Sequence, residues 1–478
     1  MAQHEVTPEQ IATLEEYFTR ARAAEKVIEN YTQERVDRMC RCVAWAAGNP
    51  KTFQEVCHMG VDEAGAGDRE GRFGKRHKIL GVLRDALREK SVGPILVDPE
   101  KGITKYGKPA GLIVSLIPMT NPELTPIVTA IYALKARDVV IFSPHPRTVK
   151  TTHKVVEIMR EALKSIGENS DFLQCVEEVN MDLVAETMKR ADLIMATGGH
   201  AMCVAAHSSG KPAYCSGGGN ATMIYDDTCD PELAARNTRI SKTSDYGSGC
   251  SADGNIIIYA PLYDQVVAAL KKEGGYLVTD PKQRDAIKAA MWDPQTGKRN
   301  VATVAVAPQV LAKAAGFEIP ADRKFIMVES EGIGKQFKFS GEKLTTLLTL
   351  YKYEGEFENA LKMMDEVYKV AGRGHSCGIY SWNDDHINRL AMRAPVTRVM
   401  VRQPQSKANA GSAENGMAMT SSMGCGTWGG NQVSENIALK HYMNYTWVAK
   451  PILKDQPAEE TLFGEFYDPK VTKEQATC

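Results

Sequence analysis

Apolar positions along this chain follow two rhythms, and the change falls near residue 110. Before it, Ile11, Leu14, Phe18 and Ala21 recur at helical spacing behind Thr7-Pro8-Glu9-Gln10, a string that supplies an N-cap, a first-turn proline and a capping-box glutamine. The first hundred residues therefore read as helical. The opposite face of the first helix carries Glu15, Glu16, Arg20 and Arg22 in mixed sign, which argues for a docked helix over one lying on a membrane. From Ala110 onward, short continuous apolar runs alternate with amphipathic segments. The runs cover 112–117, 139–142, 193–196 and 223–225, and the helices that follow extend to about 136 and 163, begin after 197, and cover 231–242. Unbroken apolar runs are the signature of strands buried on both faces, so this pattern predicts a parallel α/β domain. A second series covers 256–260 with its helix, 325–328, 347–353 with a helix through 370, 378–380 and 399–402, and predicts a second α/β domain. The segment 93–108 is turn-rich yet β-compatible, and 445–448 is a late run able to pair with it. With no low-complexity linker and no internal repeat, the two domains are expected to pack closely around a cleft.

A length of 478 residues suffices for two or three domains with ample core. Eleven cysteines, an odd number without paired spacing, and no apolar leader at the start predict a reduced, cytoplasmic protein whose thiols mostly serve packing. Charge or proline interrupts every apolar stretch before the ~18 residues that a membrane span requires. The formal charge is −1 and no basic block carries interleaved aromatics, so nucleic acid is an unexpected partner while small anionic ligands stay open.

The chemistry concentrates in a few strings. Ser244-Asp-Tyr-Gly-Ser-Gly-Cys250-Ser-Ala-Asp-Gly-Asn255 holds one thiol among glycines, directly ahead of an apolar strand. Glycines clear the approach to a carbonyl and free backbone N–H groups to face it, while the strand anchors the loop, so Cys250 is a candidate nucleophile as well as a candidate packing residue. Thr197-Gly198-Gly199 ends one strand and opens a helix, where free amides suit a phosphate. Ser143-Pro144-His145-Pro146-Arg147 follows another strand, and Arg147 is a candidate for a ribose hydroxyl or phosphate. The run Gly424 to Gly429 fits G-x-G-x-x-G but follows polar Thr420-Ser421-Ser422, so it reads as a structural turn beside the cleft. His375, between Gly374 and the strand 378–380, is a candidate proton shuttle or a satisfied surface residue. His200, Cys203 and His207 share a helix face, and Cys40, Cys42, Cys57 and His58 cluster in sequence. Neither set shows four ligands at zinc spacing, so no metal is expected.

Eight strings occur in order over some three hundred residues: Ile117-Pro-Met-Thr120-Asn121-Pro122, Phe142-Ser-Pro-His-Pro-Arg147, Ala196-Thr-Gly-Gly199, Ser208-Ser-Gly-Lys-Pro212, Asp245-Tyr-Gly-Ser-Gly-Cys-Ser251, Gly341-Glu-Lys-Leu344, Gly374-His-Ser376, and Gly424-Cys-Gly-Thr-Trp-Gly-Gly-Asn431 with Ser434-Glu435-Asn436. Together they resemble the CoA-acylating branch of the aldehyde dehydrogenase superfamily, which includes the aldehyde-oxidising half of bifunctional aldehyde/alcohol dehydrogenases and the acylating succinate-semialdehyde and sulfoacetaldehyde dehydrogenases. The resemblance implies an aldehyde dehydrogenase-like fold, two parallel α/β (Rossmann-like) domains with a β oligomerisation arm. The implied division is 1–243 for the cofactor domain, with arm strands about 93–110, then 244–430 for the catalytic domain, and 431–478 returning to the cofactor domain with an oligomerisation strand. Cys250 is implied as the nucleophile, with the Asn121 amide and the Cys250 N–H holding the oxyanion and His375 assisting CoA. Thr120, Ser143, Pro144, His145, Pro146, Arg147, Thr197, Gly198, Gly199, Gly217, Gly218, Glu342 and Leu344 are implied to bind NAD or NADP, with Glu342 gripping the nicotinamide ribose. Coenzyme A is the implied co-substrate, and a homodimer or homotetramer the implied assembly.

Two departures shape the expected chemistry. Hydrolytic relatives carry a water-activating glutamate shortly before a Gly-Gly pair, where this chain has Ser216, far too weak a base to make hydroxide. The acyl-enzyme is thus expected to await a thiol such as CoA. Near the cysteine stand Tyr246 and Gly249 where the family shows asparagine and a bulky apolar residue, and Asp253 replaces glutamate. With Ser251 they suggest a polar substrate, an anionic aldehyde with sulfoacetaldehyde ahead of succinate semialdehyde, and Lys242 and Arg239 are candidate anion partners by their nearness in sequence. A stand-alone dehydrogenase, without an alcohol dehydrogenase half, is expected. Acetaldehyde as substrate, a hydrolytic or phosphorylating enzyme of this fold, and a non-catalytic nucleotide-binding scaffold remain as alternatives.

Overall fold

The computed structural model describes residues 6–471. Four helices open the chain, Pro8–Ile28, Gln33–Gly48, Pro50–Ala64 and Arg76–Arg88. The first is set by the expected capping box: Thr7 accepts from the Gln10 amide while the Gln10 side chain accepts from the Thr7 N–H. Its mixed-charge face is partly committed, because Arg22 pairs with Asp192 of the first sheet's neighbourhood.

Two parallel sheets and one antiparallel sheet follow. The first orders its strands as Leu173–Cys175, Val139–Ser143, Leu112–Leu116, Leu193–Thr197 and Ala213–Ser216. Its central strands Leu112–Leu116 and Val139–Ser143 are buried at every position, and so is the whole helix Leu124–Ala136 that crosses between them. This explains why those segments read as continuous apolar runs. The second sheet has seven parallel strands in the order Gly275–Val278, Phe325–Glu329, Leu347–Tyr353, Asn255–Tyr259, Thr222–Tyr225, Cys377–Tyr380 and Val399–Val401. The third is antiparallel: Gly93–Asp98 and Met443–Ala449 flank Ile103–Pro109.

One expectation about organisation needs correction. The strand Thr222–Tyr225, assigned by the sequence to the first domain, pairs with Asn255–Tyr259 and Cys377–Tyr380 in the second sheet. Sheet membership therefore changes between Ser216 and Thr222 rather than at residue 243. An apolar strand buried on both faces looks the same whichever sheet it joins, so hydropathy held no information on this point. The strands Leu173–Cys175, Ala213–Ser216 and Gly275–Val278 were not anticipated, being only three or four residues long.

The two parallel sheets meet in a way that fixes the functional region. The first sheet presents the carboxyl ends of its strands, followed by Pro118–Asn121, Pro144–Arg147, Gly198–Gly199 and Gly217–Gly219. The second presents the amino ends of four adjacent strands. Asn255 aligns with Thr222 and Thr349, and Cys377 aligns with Thr222, so the segments just before them, carrying Cys250, Gly219, Glu342 and His375, arrive at one edge.

Candidate active site

Cys250 sits five residues ahead of the strand Asn255–Tyr259, half-buried at the close of a loop whose backbone is unusual. Asp245 and Tyr246 hold φ of 48° and 50°, a left-handed region that few non-glycine residues adopt. Gly219 passes so close that a Cβ there would lie 1.8 Å from the Cys250 carbonyl oxygen, so only glycine fits.

His375 reaches the thiol. Its Nε2 lies 3.0 Å from Cys250 Sγ, and its Nδ1 lies 2.7 Å from Ser376 Oγ, which in turn accepts from Asn409 Nδ2 at 3.2 Å. The imidazole is wholly buried. Burial, with the nearby Arg398 guanidinium, pushes its pKa down to about 3. Burial also pushes the Cys250 thiol up to about 12, with Glu342 and Cys425 adding to the rise. At neutral pH the pair is a neutral imidazole beside a protonated thiol, arranged so that the ring nitrogen can take the proton as sulfur attacks.

The turn bearing His375 is clamped from behind. Arg398 donates to the His375 carbonyl at 2.8 Å, to the Gly424 carbonyl at 2.6 Å and to Asn436 Oδ1 at 3.0 Å. A Cβ at Gly374 (φ 84°) would meet the Cys425 carbonyl oxygen at 1.9 Å. The run Gly424 to Gly429 is thus a packing turn against the histidine.

Asn121 stands on the turn between the strand Leu112–Leu116 and the helix Leu124–Ala136. Lys75 Nζ donates to its Oδ1 at 2.7 Å, which fixes the amide's orientation and leaves Nδ2 as the free donor end, with only a long 3.4 Å contact to Thr120 Oγ1. Lys75 also donates to the Thr120 carbonyl at 3.0 Å and to Asp245 Oδ2 at 2.7 Å. Asp245 further pairs with buried Arg72 at 3.1 Å, and Arg72 lies 3.7 Å from buried Glu123. Burial favours protonation of Asp245, but Lys75 and Arg72 overcome it and hold the carboxyl at about 2. Sequence reasoning missed this ion network, as well as the roles of Arg398, Ser376 and Asn409, because partners brought together from separate elements, up to 173 residues apart, leave no local pattern.

The candidate dinucleotide residues line the first sheet's carboxyl edge. Gly199 caps the helix His200–His207 without a side-chain bond, and a Cβ there would meet nothing within 4 Å, so the helix N-terminus stands open. That opening fits a phosphate. Ser143 and Pro144 are buried under the turn, and the amide of Arg147 donates to His145 Nδ1 at 3.1 Å while its guanidinium holds the Ala64 carbonyl. His145 lies below its ordinary range through burial and the Arg147 charge. Thr197 Oγ1 contacts Ser422 Oγ at 2.6 Å. Glu342 accepts from the Gly219 amide at 2.9 Å, beside Gly218, and burial lifts its carboxyl to about 7. Leu344 takes φ 48° and offers its carbonyl to Ala305. Gly217 borders Cys425, where a Cβ would lie 3.5 Å from Sγ. Ser216 is buried with its hydroxyl unpartnered.

The candidate substrate residues divide. Tyr246, Gly249 and Ser251 share the Cys250 loop, with Tyr246 half-buried and Ser251 buried. Lys242 and Arg239 are not placed to meet a substrate. Arg239 pairs with Glu273 at the end of the neighbouring helix Tyr263–Lys272, and Lys242 is 1% exposed near Asp253 and Glu342, with burial lowering it to about 7. Nearness in sequence misled here, since a helix sends adjacent side chains in different directions.

Among the described residues the cysteine and histidine sets do not converge as ligands. Cys40 and Cys42 donate to the Ile131 and Ala162 carbonyls, and Cys203 to the Ser216 carbonyl, while the side chain of His200 lies outside the described residues. Among the described residues the one convergent set is Asp226, Asp227 and His386, in which Asp226 also accepts from Thr228 and His386 stacks on Phe357. No helix among the described residues is long and apolar enough to cross a membrane.

Comparison with known proteins agrees with this geometry. The aldehyde dehydrogenase family model matches residues 5–325. A sulfoacetaldehyde dehydrogenase of an Acholeplasma species is 38% identical over 455 residues, covering 94% of this chain and 93% of that protein. The acylating sulfoacetaldehyde dehydrogenase of Bilophila wadsworthia is 37% identical, covering 95% of this chain and 98% of that protein. The crystal structure of an acetylating aldehyde dehydrogenase from Geobacillus thermoglucosidasius superposes with a TM-score of 0.89 at 32% identity, covering 94% of this chain and 99% of that one. The chain belongs to the aldehyde dehydrogenase family, in its acylating branch.

Proposed function

We propose that the protein oxidises a small anionic aldehyde, sulfoacetaldehyde first among them, to its acyl-CoA through a thioester on Cys250. The observation that carries this reading is the 3.0 Å contact between Cys250 Sγ and His375 Nε2 at the meeting edge of the two sheets. The similarity of this chain to the sulfoacetaldehyde dehydrogenases of the Acholeplasma species and B. wadsworthia supports the substrate.

His375 takes the thiol proton as sulfur adds to the carbonyl carbon, and the Asn121 amide and Cys250 N–H receive the oxygen's developing charge. Each such donor contributes on the order of 3 kcal/mol to the lowered barrier. A nicotinamide dinucleotide bound along Thr120, Ser143–Arg147, Thr197–Gly199, Gly217–Gly218 and Glu342 supplies the hydride acceptor. Collapse of the adduct leaves a thioester on Cys250, and the position before the glycines holds the buried hydroxyl of Ser216 in place of a carboxylate that could activate water. The acyl group therefore waits for the CoA thiol, whose proton His375, after releasing the first to solvent, can accept and return to the Cys250 sulfur as it departs. Arg147 suits either NAD or NADP. The same reading makes the protein a metal-independent, cytoplasmic homo-oligomer.

Turnover of sulfoacetaldehyde, succinate semialdehyde and acetaldehyde with both dinucleotides tests this, with CoA, phosphate or water as acceptor. The expected result is CoA-dependent turnover led by sulfoacetaldehyde, and its complete loss in Cys250→Ala with dinucleotide binding retained. Discharge by water or phosphate at equal rate, or undiminished turnover in Cys250→Ala, overturns the reaction. A preference for acetaldehyde overturns the substrate.

A further inference from the structure

We infer that Lys75 is the positioning residue that makes the Asn121 amide an oxyanion donor and ties it to the Cys250 loop. This rests on the function proposed above and names the group behind Asn121. Lys75 closes the turn Gly71–Lys75, just ahead of the helix Arg76–Arg88, and its side chain is 13% exposed. An ammonium has three hydrogens, and here each has an acceptor: Asn121 Oδ1 at 2.7 Å, the Thr120 carbonyl at 3.0 Å and Asp245 Oδ2 at 2.7 Å.

Two of those bonds grip one dipeptide. Lys75 holds the backbone of Thr120 and the side chain of Asn121 together, so the amide cannot swing away without breaking a charge-assisted bond. Turning the amide over would set its N–H hydrogens against the ammonium. With Oδ1 fixed, Nδ2 faces away from the lysine, its one contact the 3.4 Å approach to Thr120 Oγ1. The same cation draws electron density toward Oδ1 and makes the hydrogens on Nδ2 stronger donors. An oxyanion forms only once sulfur has added to the carbonyl, so the gain falls on the transition state and not on substrate binding.

The third bond sets the amide relative to the nucleophile. Asp245 stands five residues before Cys250. Its carboxylate also accepts from Ser248 Oγ at 2.6 Å, the Asp68 amide at 2.7 Å, Arg72 Nε at 3.2 Å and Arg72 Nη2 at 3.1 Å. Asp245 thus keeps four donors without Lys75. Asn121 keeps none, because among the described residues no other group donates to its Oδ1. Loss of the lysine should therefore spare the loop and free the amide, and the two effects can be separated.

The test follows two reactions at Cys250 in wild type, Lys75→Met, Lys75→Gln, Asn121→Ala and the Lys75→Met/Asn121→Ala double variant. One is the stoichiometric burst of reduced dinucleotide from sulfoacetaldehyde or acetaldehyde without CoA, which passes through the oxyanion. The other is alkylation by iodoacetamide, read by peptide mass, which displaces iodide and builds no charge on a carbonyl oxygen. Thermal unfolding and dinucleotide binding are the controls for folding. Lys75→Met is expected to slow the burst about a hundredfold at saturating aldehyde, with alkylation changed by less than about threefold. Lys75→Gln should lose about tenfold, since its amide can still donate to Oδ1 but brings no charge. The double variant should be within about threefold of Asn121→Ala, because both substitutions act through one group. Equal slowing of burst and alkylation overturns the inference and makes Lys75 a support of the loop. Additive losses in the double variant, or a wild-type burst in Lys75→Met, overturn it as well. A wild-type burst in Asn121→Ala defeats the oxyanion role on which it rests, a failure distinct from that of Lys75. If Lys75→Met fails to fold, Lys75→Gln decides by the same comparison, and equal slowing or none there overturns the inference.

Discussion

His375 shows how far the fold moves a single ionisation. Free in water the imidazole would take a proton near 6.5, but in the folded chain burial and Arg398 delay this to about 3. Between those values the unfolded chain binds one more proton than the folded one, so stability falls as pH drops from 6.5 toward 3 and is fully regained above 6.5. The slope from this one group is at most about 1.4 kcal/mol per pH unit. His375→Gln removes it, so urea midpoints measured between about pH 4 and 7 should fall more steeply for wild type than for the variant. Parallel slopes would mean that the histidine is accessible to protons, against the wholly buried position described above. The variant should also form the Cys250 adduct about a hundredfold more slowly or worse, because a thiol near 12 is then left without its base.

At the scale of elements, the Cys250 loop is held by charges that come from far outside it. Asp245, in a left-handed conformation, donates nothing to the reaction directly but ties Arg72 and Lys75 to the loop, and Lys75 in turn orients Asn121. Asp245→Ala would leave Lys75 without a carboxylate and buried Arg72 with only the 3.7 Å contact to Glu123, and should cost about 3–5 kcal/mol in a urea titration. It should also weaken oxyanion binding, because the Asn121 amide loses the lysine that fixes it. Retention of both stability and kcat would show that the network is incidental. Much of the surrounding scaffold was legible in the chain: 112–116, 139–143 and 347–353 are apolar at nearly every position because both sheet faces are covered. The glycines around Cys250 and before His375 were equally readable, and at Gly247 and Gly374 close backbone approach together with a positive φ leaves no room for a side chain. Interactions that depend on distant partners were not. The assignment of Thr222–Tyr225 to a sheet and the Asp245 network required the fold, and so did the directions of Lys242 and Arg239, which lie only eight and eleven residues from Cys250 in sequence yet turn to other partners.

The third sheet matters for the whole molecule. Its strands Gly93–Asp98 and Met443–Ala449 are both edges, and they expose Val97 at 63%, Trp447 at 57%, Leu96 at 46% and Val448 at 41%. The chain then continues through Ile452 and Leu453, exposed at 50% and 93%. Unpaired strand edges bearing exposed apolar side chains invite another strand, and the charge on this face, Lys105, sits on the central strand in register with Leu96 and Trp447, 3.5 Å over the Tyr445 ring and 5.0 Å over the Trp447 ring. A second copy of this chain is the expected occupant, giving a dimer or tetramer in sedimentation. Leu96→Lys combined with Trp447→Lys should shift the protein to a smaller species, because two buried ammonium groups would replace apolar contact at the centre of the interface. Every residue described at Cys250, His375, Asn121 and Glu342 comes from one chain, so the smaller species should still form the Cys250 adduct while melting at lower temperature. An assembly unchanged by both substitutions would place the contact elsewhere, and loss of the adduct on dissociation would mean that the partner holds the site's geometry.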